Sequence, residues 1–145
     1  MKKIVVGIDG SPGSARALEF ALAEGRLRGA VVEAVFVWHV PAAVYGGGGL
    51  APAVIDTEDL EEGAKAQLDE ILDRADADGV EVERAVREGQ PAEVLVEEAE
   101  RADLLVVGSR GLGGFRGLLL GSVGQQCAHH ARCPVVIVPK PSQAA

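Results

Sequence analysis

Lys3-Ile-Val-Val-Gly-Ile8 is a short β-branched run, apolar on both faces, as a buried parallel strand requires. Asp9-Gly10-Ser11-Pro12 stops it. Ser11 is placed to cap a helix and Pro12 to occupy its first position, where no N–H is needed. That helix carries Ala15, Leu18 and Leu22 at apolar spacing and ends between Gly25 and Gly29. A second, valine-rich strand runs from Val31 to Val40, and Pro41 breaks it. Residues 41–56 hold Gly46 to Gly49 and Pro52, so they predict a loop. From Thr57 a second helix places Leu60, Ala64, Leu68, Ile71, Leu72 and Ala75 on one face, and Gly79 closes it. The stretch Val80–Val86 alternates with period two, as a half-exposed edge strand does.

Gly89-Gln90-Pro91 opens a third helix with Ala92, Leu95, Val96 and Ala99 at helical spacing. Asp103–Gly108 is a fourth strand, uninterrupted and apolar until its glycine. A glycine-rich loop over 109–120 precedes a helix from Ser122 to about Ala131. Pro134–Val138 is a fifth strand. Strand and helix alternate without a repeat or a second core, so residues 1–145 predict one α/β domain. Its architecture is an open five-stranded parallel sheet with helices on both faces. Right-handed crossovers favour the strand order 3-2-1-4-5. Ligands in such sheets bind beyond the carboxyl ends of the strands, where the winding reverses. Here that point lies between the first and fourth strands, where the Asp9-Gly10-Ser11 turn meets the loop after Gly108.

Composition narrows the function. With 48% hydrophobic residues the chain can build a core, so disorder is excluded as its main state. Its aromatics are only Phe20, Phe36, Trp38, Tyr45 and Phe115, and its pI is near 4.8. Both facts argue against a nucleic-acid partner. No apolar run reaches roughly 18 residues, so no membrane span is expected. Met1-Lys2-Lys3 leads directly into Ile4, so no signal peptide is expected. Cys127 and Cys133 make no disulfide framework, and a cytoplasmic location is expected. The charge is uneven: all 22 acidic residues lie at or before Asp103, while Arg110, Arg116, Arg132 and Lys140 follow it without an acid. A segment that surrounds an oligophosphate would have this balance, and so would one that is mostly buried strand and glycine loop.

Gly108-Ser109-Arg110-Gly111 is followed, after nine residues, by Gly121-Ser122 at a helix start. These glycines let backbone approach a bulky anion, and the serine hydroxyl and first-turn N–H groups converge on the same place. Arg110 and Arg116 add charge at its mouth. The alternative is that Gly113, Gly114 and Gly117 only make a flexible crossover. A Walker loop is excluded, because no Lys stands between Gly121 and Ser122. The dinucleotide pattern fails as well, because Arg116 stands where its last glycine is required. Asp9 ends a buried strand at the switch point, as a ligand contact or as a helper to the helix cap. Cys127, His130 and Cys133 have loose spacing for zinc and read as packing residues, so no metal ligand is assigned. His39 reads as structural, and no nucleophile–base pair is legible, so no catalytic residue is assigned.

Gly108-x2-Gly111-x9-Gly121-Ser122 resembles the nucleotide-binding pattern of the ATP-binding branch of the universal stress protein family. The opening Ile4–Ser11 and the closing Leu120–Val123 and Cys133–Val138 are similar to that family too, so the resemblance covers essentially the whole chain. It implies a Rossmann-like sheet of the adenine nucleotide alpha hydrolase-like kind, and a homodimer. It also implies that Asp9 lies beside an adenosine, with Gly7, Ile8 and Val40 lining the adenine side. Gly108 and Gly111 would approach ribose and α-phosphate, with Arg110 at the mouth. Gly121, Ser122 and Val123 would hold the β- and γ-phosphates. Gly124 and Gln125 follow, where the family commonly has a hydroxyl residue.

The first functional expectation is therefore a nucleotide-responsive regulator or sensor in stress response. Its ligand would be ATP, or AMP or ADP, with Mg²⁺ as companion, and binding would order loops 41–56 and 109–120 toward an unidentified protein partner. The second is a slow Mg²⁺-dependent ATPase or nucleotide-handling enzyme using the same cradle. The third is a nucleotide-free scaffold that binds partners. The uncharged 134–138 strand, at a sheet edge, is the expected homodimer seam.

Overall fold

A computed structural model describes residues 1–39, 56–110 and 120–141. The expectations placed on Val40, Gly111, Gly113, Gly114, Arg116, Gly117 and the 41–55 loop lie outside them. The elements follow in the order β1 (Lys3–Ile8), α1 (Pro12–Arg28), β2 (Val31–Trp38), α2 (Thr57–Asp73), β3 (Val82–Glu88), α3 (Pro91–Ala99), β4 (Leu104–Gly108), α4 (Ser122–His130) and β5 (Val135–Val138). They build a five-stranded sheet of order β3-β2-β1-β4-β5, parallel throughout, as the alternation predicted. In register, Ile4 of β1 pairs with Val32 of β2 on one side and Leu104 of β4 on the other.

Period-two alternation divides the core between the two faces. Ile4, Val6, Val32, Ala34, Leu104 and Val106 point toward Leu18 and Leu22 of α1 and Leu68 and Leu72 of α2. Val5, Val35, Ala85, Leu105 and Val107 point toward Leu95 and Ala99 of α3 and Cys127 of α4. Because the middle strands bury both faces, they read as continuous apolar runs.

Three local expectations are corrected. The second helix ends at Asp73 with Arg74 as its cap, so Ala75 lies beyond it and Gly79 does not close it. Ala15 does not join the buried face of α1, which consists of Gly13, Ser14, Ala17, Leu18, Ala21, Leu22 and Gly25. Small residues line this face, and a Cβ on Gly25 would come within 2.8 Å of the Val32 side chain. The helix therefore lies close to the sheet on its smallest positions, and Ala15 falls just beyond that arc. The expected third strand also moves, running from Val82 to Glu88 rather than from Val80. Gly79 takes a left-handed φ of 79°, and Val80 N–H closes a turn on the Ala77 carbonyl before the ladder begins. The caps are as the sequence implies. Ser11 accepts from the Ser14 N–H with Pro12 next to it, and Gly29 closes α1 at a left-handed φ of 65°.

Asp103 joins the starts of β1 and β4. Its Oδ2 accepts from the Lys2 N–H at 2.7 Å and the Lys3 N–H at 3.0 Å, and its own N–H donates to the Lys3 carbonyl. The two backbone donors hold its carboxyl below the ordinary value of 3.8. A lowered folded value stabilises the fold above pH 3.8, and that contribution disappears as pH falls through the folded value. Asp103→Asn is therefore expected to be less stable than wild type at neutral pH. Urea unfolding at a series of pH values should show the gap between them narrowing below 3.8.

Candidate functional site

The carboxyl ends of β1 and β4 lie side by side, and two turns leave from them. After Ile8, the Asp9 carboxylate folds back and its Oδ1 accepts from the Ser11 N–H at 2.8 Å. The Asp9 N–H donates to Ser14 Oγ at 3.3 Å, and Ser14 Oγ donates to the Ser11 carbonyl at 3.0 Å. Gly10 sits at the tip with φ of 84°, a left-handed conformation that suits glycine. A Cβ there would also meet the Gln67 amide of α2 at 2.7 Å, so Gln67 lies against this turn.

After β4 the chain is bound closely on both sides. The Ser109 N–H donates to the Val138 carbonyl of β5, and the Ser109 carbonyl accepts from the Gly121 N–H at 2.6 Å. This last bond returns the chain to the start of α4. The α4 N-terminus has no capping side chain and no acidic residue in its first turn. Its leading N–H groups therefore carry the positive end of the helix dipole toward the cavity. Ser122 Oγ accepts from Gln126 Nε2 at 3.0 Å, which fixes the hydroxyl at the helix start.

The glycines here differ in what requires them. A Cβ on Gly108 would lie 2.7 Å from the Gly13 backbone carbon and oxygen, and one on Gly124 would lie 2.6 Å from Leu120 Cδ1. A Cβ on Gly7 would lie 2.7 Å from Leu95 Cδ1. Those three positions are small because the protein itself fills the space. Gly121 is different: a Cβ there would make only ordinary contacts, 3.4 Å from the Ser109 oxygen and 3.5 Å from the Arg110 Cα. Its φ of −73° and ψ of 171° suit any residue. No described protein atom requires a glycine at this position.

A cavity of about 700 Å³ opens at this edge of the sheet. It brings together Gly7, Ile8, Asp9, Gly108, Arg110, Gly121, Ser122 and Val123, the expected site residues that fall within the described structure. Val40 and Gly111 are the two that do not. Asp9 is the one carboxylate among the described lining residues, and Arg110 supplies a cation. The sequence reading missed Trp38 from the end of β2, Gln67 from α2, and Pro91 and Leu95 from α3. Trp38 could have been found, because it stands at the carboxyl end of β2, the end at which ligands bind in such sheets. Gln67, Pro91 and Leu95 depend on how helices dock, for which a single sequence carries no local signal. His39, read as structural, also lines the cavity. Cys127 packs in the core, and burial, with Cys133 beside it, pushes its thiol up to about 11.

The family model described as Universal stress protein family matches residues 1–139. A universal stress protein of Mycolicibacterium smegmatis is 41% identical over 137 residues, covering 93% of this chain and 45% of that protein. The chain thus spans less than half the length of that relative. A universal stress protein of Methanocaldococcus jannaschii is 36% identical over 148 residues, covering 98% of this chain and 84% of that protein. Among solved structures, a universal stress protein in complex with cAMP is 34% identical at a TM-score of 0.67. That match covers 94% of this chain and 95% of the other.

The contrast between the glycines is testable by stability alone. Gly108→Ala should cost about 1–3 kcal/mol, the usual range for overpacking, because backbone cannot yield as a side chain can. Gly121→Ala should leave the urea midpoint close to wild type. Equal losses would mean that the two positions are under the same steric constraint.

Proposed function

The chain belongs to the universal stress protein family, and we infer that it serves there as an adenine-nucleotide-binding regulator. One observation carries the reading: at Gly121, the uncapped start of α4, a Cβ would make only ordinary contacts, so no described protein atom accounts for the glycine. Backbone N–H groups at a helix N-terminus suit phosphate, and a missing Cβ lets phosphate come close. The cAMP bound by the related universal stress protein supports an adenine nucleotide as the ligand class.

In this proposal ATP is the first candidate and AMP or ADP the next. Asp9 lies beside the adenosine, with Gly7, Ile8 and Val40 on the adenine side. Gly108 and Gly111 approach ribose and α-phosphate. Gly121, Ser122 and Val123 receive the outer phosphates, and Arg110 adds charge at the mouth. Mg²⁺ fits a lining with one carboxylate, because this ion is held largely by substrate phosphates and water. When bound, it would neutralise phosphate charge. The role is regulatory: the bound nucleotide changes the surface offered to a protein partner, in the cytoplasm, by a single domain over 1–145. Asp9 also keeps a slow Mg²⁺-dependent hydrolysis open as the second reading, and product formed well above background would establish it.

The same proposal includes a homodimer through β5. This strand pairs with β4 on one side and is the end of the sheet among the described residues, and Val135–Val138 carry no charge. Pairing across a two-fold axis would satisfy its outer N–H and C=O groups and cover its valines.

Calorimetry tests the cradle. Gly121→Val should abolish ATP binding in a folded protein, because a β-branched side chain fills the phosphate space. Unchanged affinity would remove the assignment. Arg110→Glu should weaken ATP more than adenosine, and equal losses would displace Arg110 from the phosphates. Native mass spectrometry that finds no adenine nucleotide on the purified protein, together with no binding of added ATP, would favour the scaffold reading. Light scattering tests the dimer: Val136→Lys should be a folded monomer at micromolar concentration, since the two-fold brings like charges together.

A further inference from the structure

Glu33 is the one charged residue that is buried among the described residues, at 7% exposure. It lies in β2, in register with Val5 of β1 and Glu83 of β3. It alternates with Val35, so it is on the sheet face covered by α3. Lys3 Nζ donates to Glu33 Oε2 at 2.9 Å and lies 3.9 Å from Glu83. Glu33 Oε1 is buried and makes no hydrogen bond in the described structure. A buried carboxylate oxygen left in that state is costly.

The remaining neighbour is Glu98 of α3, whose charge acts on Glu33. Arg87 Nε of β3 donates to Glu98 Oε1 at 2.7 Å, leaving the second oxygen of Glu98. The charged groups around Glu33 are thus Lys3 from β1, Glu83 and Arg87 from β3, and Glu98 from α3. Two ionised carboxylates have no donor between them. One proton taken up from solvent supplies it, and Glu33 Oε1 then has a partner.

We propose that Glu33 and Glu98 form a shared proton-binding site that clamps α3 to β2 and thereby sets the position of α3 at the cavity. The connection is short. Leu95 is one helical turn before Glu98, packs over Gly7 and lines the cavity with Pro91 at the head of the same helix. Losing the proton sets two carboxylates against each other across the α3–β2 contact, and the displacement is passed along the helix to Leu95.

The direction of the titration agrees with the geometry. Burial raises the Glu33 carboxyl above its ordinary value of 4.5, Lys3 opposes that rise, and Glu98 adds to it. A raised folded value gives a stabilisation fully present below 4.5 and lost as pH rises through the folded value.

The proposal is tested without any nucleotide, by carbon-detected NMR of glutamate carboxyls and leucine methyls across a pH series. In wild type, the Glu33 carboxyl carbon should titrate above 4.5, and the Leu95 methyl shifts should move with the same midpoint. In Glu98→Gln the amide donates to Glu33 at every pH, so the Glu33 midpoint should fall and the Leu95 movement should vanish. A wild-type Glu33 midpoint at or below 4.5 overturns the site. Leu95 methyls that ignore the titration overturn the clamp, and an unchanged Glu33 midpoint in Glu98→Gln removes Glu98 as partner. If that variant does not fold, the wild-type titration still decides the first two points.

Discussion

The contact between the backbones of Gly13 and Gly108 governs the geometry of the candidate site. Neither residue has a Cβ, so the first turn of α1 rests directly against the last residue of β4. A Cβ on Gly108 would meet the Gly13 backbone, and one on Gly13 would meet the Arg110 carbonyl, so a methyl at either position would push the helix start away from the chain that leaves β4. Without that separation, the Asp9 turn and the start of α4 are both brought to one cavity. The Ser109 hydrogen bonds to Val138 and Gly121 then fix the second side of the cavity from two directions. The site is a product of backbone proximity first and of side-chain chemistry second.

Much of the fold was legible because the middle strands are buried on both faces. Ile4–Ile8, Val31–Val37 and Leu104–Val107 announce themselves as apolar runs, and glycine or proline marks their ends. The misjudged pieces have a common cause: one sequence reveals a period more readily than a phase. Ala15 fits the apolar spacing of α1 but lies outside its buried arc, since the close approach to the sheet selects Ser14, Ala17, Ala21 and Gly25. Val80 fits the alternation of β3, but the turn at Gly79 delays the ladder until Val82.

The candidate site was legible to a similar depth. Glycine spacing pointed to Gly108 and Gly121-Ser122, and the family resemblance supplied Gly7, Ile8 and Val123, but neither said why each glycine is small. Gly108 answers to Gly13, Gly7 to Leu95 and Gly124 to Leu120, which leaves Gly121 as the one whose Cβ would make only ordinary contacts. Gln67, Pro91 and Leu95 reach the cavity by helix docking, a long-range matter with no local signature. Asp103 and Glu33 were equally silent. One looked like a strand boundary and the other like a polar residue in a valine run, yet each ties two elements together.

Cys127 gives α4 an unexpected property. Its sulfur has no solvent exposure, and its thiol stays protonated at any ordinary pH. Thiol chemistry runs through the thiolate, so alkylating agents and peroxides find almost no reactant while the helix is seated. Modification must wait for α4 to lift from the sheet, and where reclosing outpaces the reagent its rate follows the fraction of time the helix is lifted. The helix that begins at Gly121 thus carries an internal clock of its own breathing, readable by mass in the unmodified sequence.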